Sequence, residues 1–395
     1  MKTLYFDNNA TTMVAPEVLE EMLPFFSEQY GNPSSMHRFG GQVGKHLTLA
    51  RDRVAKGLGC EPDEVIFTAC GTESDNTAFF AATMAQPGKK HIVTTKVEHP
   101  AVLNVAQRLE RHGYDVTYLG TDSQGRLDMD ELRDSLRDDT ALVSIMYANN
   151  ETGVIYPMPE IAEIVKARGI LLHTDAVQAV GKVPFKLSEL PVDYLALSGH
   201  KLHAPKGVGA LYVRRGSPFR TFMLGGHQEH GRRAGTENTT GIVALGKAVE
   251  LATQHIEAEN TQVRALRDRL EQGLIKAIPD TRLNGHPDER LPNTSNISFK
   301  YVEGEAILLM MDQHGICASS GSACTSGSLE PSHVLRAMGV PFTYAHGSIR
   351  YSLSRYNTDA EVDTILEAMP PLIERLRELS PFKKDQENEP PACTC

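Results

Sequence analysis

The chain has 395 residues, a formal net charge of −10, 41% hydrophobic residues and 23% charged residues. That length can bury a large core and suits one large domain beside a smaller one. The acidic balance argues against a nucleic-acid partner, and no run approaches the ~18 consecutive apolar residues of a membrane span.

The first residues, Met-Lys-Thr-Leu-Tyr-Phe-Asp, turn polar too early for a signal peptide. A cytoplasmic protein is expected. From residue 60 to 215 short apolar runs alternate with helical patterns. Glu64–Thr68 reads as a strand and Glu73–Met84 as a helix. His91–Thr95 reads as a strand, and Ala101–Arg111 as a helix with Pro100 in its first turn. Ala141–Tyr147 is a predicted strand, Pro159–Ala167 a helix and Ile170–His173 a strand. Asp193–Leu197 and Gly209–Val213 are further strands. This order predicts an α/β fold, a mostly parallel sheet with helices on its faces.

The pattern changes after residue 255. A charged helix over Thr261–Ile278 leads to strands at Thr294–Phe299 and Ser348–Ser352, then to a final helix over Asp359–Leu379. Residues 15–257 are expected to form the large domain. Residues 1–14 and 258–380 are expected to form a smaller α+β domain. Residues 381–395, charged and Pro-rich, read as a disordered tail.

Residues 195–201 read Leu-Ala-Leu-Ser-Gly-His-Lys. An apolar strand ends, turns through Gly199, and presents Lys201 beside His200. A neighbouring imidazole and partial burial favour a neutral amine, which Schiff-base chemistry needs. Pyridoxal phosphate uses such a lysine, with a carboxylate for its ring nitrogen and a cup for its phosphate. Asp175, after the strand Ile170–His173, is the candidate carboxylate, with a helix N-cap as the alternative. Cys70-Gly71-Thr72-Glu73, between a strand and a helix, is the candidate cup; a cap without ligand is the alternative. Asn149-Asn150-Glu151-Thr152-Gly153 offers two amides for a phenolic oxygen or a substrate carboxylate, or is an ordinary turn. His99 is placed to stack on a flat ring or move a proton, or is a loop residue. Each of these follows a predicted strand, the edge where ligands bind an open α/β sheet.

Six cysteines at irregular spacings suggest no disulfide framework. Cys324 lies in Ala-Ser-Ser-Gly-Ser-Ala-Cys-Thr-Ser-Gly-Ser (318–328), a composition that reads as a flexible loop. A thiol there is available as a nucleophile, or is incidental. Cys317 reads as structural. Arg350 suits bidentate binding of a carboxylate, or a surface salt bridge. The Cys393-Thr394-Cys395 ending suits a soft metal or persulfide exchange, or is a dispensable end.

Together these residues resemble the cysteine desulfurases, fold-type I pyridoxal-phosphate enzymes, and within them the nitrogen-fixation (NifS) type. The likeness runs over residues 3–380. It includes Tyr-Phe-Asp-Asn-Asn-Ala-Thr-Thr (5–12), Gly-Asn-Pro-Ser-Ser (31–35), Thr-Glu-Ser-Asp-Asn (72–76) and Glu-His-Pro-Ala-Val (98–102). It continues in His-Thr-Asp-Ala-Val-Gln (173–178), Ser-Gly-His-Lys (198–201), Arg-Arg-Ala-Gly-Thr-Glu-Asn (232–238) and the Cys324 segment. Cys70 and His230 depart from the pattern, where Ser or Gly and Arg or Gly are commoner.

The resemblance implies that Lys201 carries pyridoxal 5'-phosphate and that Asp175 pairs with its ring nitrogen. Gln178 and Asn150 would face the ring oxygen. Thr72, Glu73 through its backbone, Ser198 and His200 would bind the phosphate. His99 would stack and move protons, and Arg350, with Asn150, would hold the substrate. Thr236 would reach the phosphate of a second subunit, so a homodimer is implied. Cys324 would accept sulfur from L-cysteine as a persulfide, leave alanine, and pass the sulfur to an iron–sulfur scaffold protein, with nitrogenase maturation as the expected use. Whether Cys324 also ligates a cluster transiently is open. The rivals are another pyridoxal-phosphate enzyme, such as an aminotransferase or selenocysteine lyase, and a non-catalytic sulfur or iron carrier.

Overall fold

The computed structural model describes residues 2–320 and 331–380. Twelve strands are seen among them: β1 (Leu4–Tyr5), β2 (Val65–Thr68), β3 (His91–Thr95), β4 (Asp115–Leu119), β5 (Thr140–Ser144), β6 (Leu171–Asp175), β7 (Tyr194–Ser198), β8 (Gly209–Val213), β9 (Thr281–Asn284), β10 (Thr294–Phe299), β11 (Ile316–Cys317) and β12 (Ser348–Ser352).

Seven of them form one sheet in the order β2-β8-β7-β6-β5-β3-β4. The run from β4 through β7 is parallel. Only β8 is reversed, antiparallel to both β7 and β2. The mostly parallel α/β sheet expected from the sequence is therefore present. Every residue of β2, β3, β5, β6, β7 and β8 is buried, as strands covered by helices on both faces must be. The carboxyl ends of six strands, at Thr68, Thr95, Leu119, Ser144, Asp175 and Ser198, share one edge.

The sequence reading missed β4. Its residues, Asp-Val-Thr-Tyr-Leu, grade from exposed to buried at the sheet edge, where polar residues are tolerated and apolar runs are not required. It also missed the helices Arg38–Leu58 and Thr239–Gln254, which pack on each other. Their contact needs glycine, since a Cβ at Gly246 would meet Ala50 Cα at 2.6 Å.

A second sheet, β12-β10-β9, is antiparallel, and β1 pairs with β11 in parallel. The helices Arg264–Ala277, Gly304–Asp312 and Asp359–Leu379 cover them. The helix expected over Thr261–Ile278 begins instead as a π-helical turn, Glu259–Val263. Asp359–Leu379 has the expected bounds, although it passes through Pro370 and Pro371. Leu4 and Phe6 join Leu270, Ile297, Ile349 and Ile365 in one hydrophobic cluster. Val334, Leu335 and Met338 pack instead on the core of the large sheet. Among the described residues no helix is long and apolar enough to cross a membrane.

Phe6 is fully buried in the second cluster. Truncation of Phe6→Ala is expected to cost about 3–5 kcal/mol, read as a lower midpoint in urea unfolding. An unchanged midpoint would mean that the N-terminal strand contributes nothing to this core.

Candidate active site

A cavity of about 460 Å³ opens at the carboxyl edge of the large sheet. Thr72, His99, Asn150, Asp175 and Gln178 line it, as do Ser198, His200, Lys201 and Arg350. Nine residues singled out in the sequence therefore converge, although Thr72 and Arg350 are 278 positions apart (350 − 72). Strand ends supply Asp175 and Ser198, and the turns just beyond strands supply most of the others.

One wall is the first turn of the helix Gly71–Ala85. Its N-cap, Cys70, provides no side-chain bond, so the first N–H groups face the cavity without a capping acceptor. A Cβ on Gly71 would meet Val177 Cγ2 at 2.7 Å, so glycine keeps this turn close against the opposite wall. Ser198 Oγ beside it is buried and has no partner among the described residues. The Glu73 side chain turns away: its carboxylate accepts from the Ala69 N–H (2.7 Å) and from Arg233.

Lys201 ends a single 3-10 turn, Gly199–Lys201, directly after β7. Its Nζ donates to the carbonyls of Asn9 (2.5 Å) and Ala10 (2.8 Å). Gln178 Nε2 donates to the same Asn9 carbonyl at 3.0 Å, so part of the amide expected to face a ring oxygen is already engaged. His200 Nδ1 lies 3.2 Å from Thr11 Oγ1, and burial pulls its pKa down to about 4.

Asp175 is the last residue of β6, not the residue after the strand. No helix follows it. Its Oδ1 accepts from the Val177 N–H (2.9 Å) in a turn, which answers the N-cap alternative. Burial raises its carboxyl, and the charges of His99 and Lys201 oppose that shift. His99 caps the helix Pro100–Glu110, its Nδ1 accepting from the Ala101 N–H at 3.1 Å. That bond assigns the ring hydrogen of neutral His99 to Nε2. Burial also lowers its pKa, against the pull of Asp175.

Arg350 is on β12 and only 3% exposed, so it is not a surface salt bridge. Its Nη1 donates to the Asn150 carbonyl (3.1 Å) and its Nη2 to Asp7 Oδ1 (2.8 Å). Nε is buried without a partner. Asn149 faces inward and ties its own turn, accepting from the Glu151 and Thr152 N–H groups. Of the two amides, only Asn150 lines the cavity.

Thr236 is exposed and does not line this cavity. Cys324, Cys393 and Cys395 lie outside the described residues. Cys60, Cys70 and Cys317 are free thiols, and Cys317 is only partly buried on β11.

The sequence reading missed a set of buried acids at the cavity, Asp75 and Glu151 in its lining and Glu98 beside them. Asp75 and Glu98 are fully buried, each with an oxygen lacking a partner. Burial raises Asp75 well above the usual range and Glu98 to about 8. His173, also fully buried, lies 3.4 Å from Asp75, and burial lowers its pKa to about 3. Glu151 accepts from Ser332 Oγ, and burial raises it to about 7 despite Arg350. The available signals were adjacency, Glu98 preceding His99, and helix spacing, Asp75 one turn beyond Thr72.

Glu98 Oε1 accepts from Thr95 Oγ1 and the Met146 N–H, each at 2.9 Å. A glutamine can keep both bonds. Between its ordinary pKa of 4.5 and about 8, Glu98 holds a proton in the folded chain and not in the unfolded one. Its contribution to stability is therefore complete at low pH and lost as pH rises through about 8. Glu98→Gln is expected to lose less Tm than the parent across that window. Parallel melting curves against pH would contradict this.

Comparison with known proteins places this site in context. The aminotransferase class-V family model matches residues 4–365. A cysteine desulfurase of Nostoc sp. (strain PCC 7120 / SAG 25.82 / UTEX 2576) is 61% identical over 386 residues, 98% of this chain and 96% of that protein. Cysteine desulfurase NifS of Azotobacter vinelandii is 57% identical over 383 residues, 97% of this chain and 95% of that protein. A solved NifS-like protein superposes with a TM-score of 0.87 at 40% identity, covering 96% of this chain and 99% of that one. The chain belongs to the aminotransferase class-V family.

Proposed function

We propose that this chain is a cysteine desulfurase, taking sulfur from L-cysteine, releasing alanine and holding the sulfur on Cys324. The observation that carries the reading is the convergence of Lys201, Asp175, His99 and Arg350 on one cavity. The relatives' names support the choice of L-cysteine as substrate.

Cysteine desulfurases and the wider family depend on pyridoxal phosphate. The residues fit that group: uncapped N–H groups at Gly71 and Thr72, the unpartnered Ser198 Oγ, and the close approach that Gly71 permits. When bound, pyridoxal phosphate supplies a ring that accepts electrons from bonds at the substrate carbon.

The chain's residues do the rest. Lys201 Nζ, aimed by two carbonyls, is the covalent anchor and a proton carrier. Asp175, with one oxygen on the Val177 N–H, would hold the ring nitrogen with its carboxylate. Neutral His99 stacks and carries a hydrogen at Nε2. Arg350, its fork fixed by Asp7 and the Asn150 carbonyl, grips the substrate carboxylate. The Cys324 thiolate attacks the substrate sulfur, and the sulfur–sulfur bond of the persulfide forms as the carbon–sulfur bond breaks; the electron pair of that bond stays with the carbon, which takes a proton and leaves as alanine.

The remaining parts of the reading are a cytoplasmic homodimer, Thr236 serving the second subunit, and delivery of sulfur to an iron–sulfur scaffold for nitrogenase. The division into 15–257 against 1–14 with 258–380 is part of the same proposal. The separate cluster around the second sheet supports it, although Leu291, Val334, Leu335, Met338, Val340 and Ala345 pack in the core of the large sheet.

Cys324→Ala is expected to keep the visible absorbance of bound cofactor and to abolish sulfide release from L-cysteine under thiol. Full turnover in that variant would remove Cys324 as acceptor. Arg350→Lys, which keeps charge but loses the fork, is expected to raise KM for L-cysteine about tenfold or more while kcat changes less. A fall in kcat alone would place Arg350 outside substrate binding.

A further inference from the structure

The segment 225–238 is pinned to the large sheet by two carboxylates. Glu229 accepts from both Arg51 Nη atoms (2.9 and 2.7 Å) and from the Phe67 N–H (3.1 Å). The backbone is left-handed at Glu229 (φ 49°) and at His230 (φ 57°), a conformation that side chains resist unless neighbours hold it. His230 is the position where the sequence departs from the family pattern. The chain tolerates it because the Arg51–Glu229 pair anchors the turn from within.

The second carboxylate is Glu73. Its Oε1 accepts from Arg233 Nε (2.8 Å), and its Oε2 accepts from Arg233 Nη2 (3.1 Å) and from the Ala69 N–H (2.7 Å). The pair is mostly buried, 19% and 11% exposed. One carboxylate thus shapes the turn that opens the phosphate-cup helix and also grips the segment carrying Thr236, three residues beyond Arg233. Thr236 and Ala69 line a separate cavity of about 130 Å³, not the cavity of Lys201.

We propose that Glu73 and Arg233 are a positioning pair linking two sites: Glu73 sets the chain's own cup through Ala69, and Arg233 sets the Thr236 segment that completes the cup of a second copy. This rests on the homodimer reading above. Removing Arg233 leaves the Ala69 bond to Glu73 in place. The defect of an Arg233 variant therefore falls on the partner's site, not on its own.

The test uses mixed dimers in which Lys201→Ala silences one site, so that only one subunit gives the visible absorbance of lysine-bound pyridoxal phosphate. In the first dimer, Lys201→Ala is on one subunit and Arg233→Gln on the other. The competent site then receives an intact segment. In the second, both substitutions are on one subunit, and the competent parental site receives a slack segment. Titration with pyridoxal phosphate is expected to show near-parental affinity in the first dimer and about tenfold weaker affinity in the second, the loss of a bidentate charged pair. Arg233→Lys in place of Arg233→Gln is expected to recover part of that loss.

Equal affinities in the two dimers, or weakening in the first alone, would overturn the pair's role while leaving the dimer standing. Size-exclusion chromatography distinguishes the other failure. A monomeric holoenzyme would remove the dimer reading and this proposal together.

Discussion

The site depends on where the polar segment Asp7–Thr12 finds its hydrogen bonds. It runs from the second-sheet cluster to the cavity edge, with Asn8, Asn9 and Thr12 buried, where each peptide group needs a partner. Asn9 is bonded on every side. Its N–H meets Ser352 Oγ, its Nδ2 meets Thr294 Oγ1 and the Asn150 carbonyl, and its Oδ1 accepts from Asn293. Its carbonyl accepts from both Lys201 and Gln178. Asp7 holds Arg350, while Thr12 and Thr11 hold the His200 turn. Six consecutive residues thereby connect Lys201, after the large sheet, to Arg350 on the second sheet.

Burial has a second consequence. Three carboxyl groups, Asp75, Glu98 and Asp175, lie close together at one wall, with two imidazoles nearby. They cannot all ionise in a medium that solvates charge poorly. Asp75 and Glu98 are raised by burial and further by Asp175, and Asp75 also by Glu98. Asp175 has the Lys201 ammonium to oppose its burial, and a proton on His99 would act in the same direction. Negative charge is therefore favoured at Asp175 over Asp75, which shares the cavity lining, and over Glu98. A ring nitrogen placed there meets one carboxylate rather than a diffuse acidic patch.

Much of the fold was legible because a covered parallel sheet demands apolar strands, and those runs stand out between helical patterns. His91–Thr95 and Gly209–Val213 have the expected bounds. Strands without that demand were not legible. Asp115–Leu119 lies at an edge, and Leu4–Tyr5 and Ile316–Cys317 are two residues long. The helix Arg38–Leu58 does bury Val43, Leu47, Ala50, Val54 and Leu58 at helical spacing, but charged residues and glycines between them interrupt the apolar run that would have made it stand out.

The residues alone determined the alternating α/β order and the presence of Lys201, Asp175, His99 and Ser198 at or just after strand ends, because ligands gather where parallel strands stop. Only the tertiary structure decided that Arg350 is buried beside Asp7, that Asn9 aims Lys201, and that burial raises the carboxyls of Glu98 and Asp75. Those properties depend on which polar groups lose water when segments hundreds of residues apart close on each other. No local pattern encodes that loss, since the same side chains in an open loop would be solvated and ordinary.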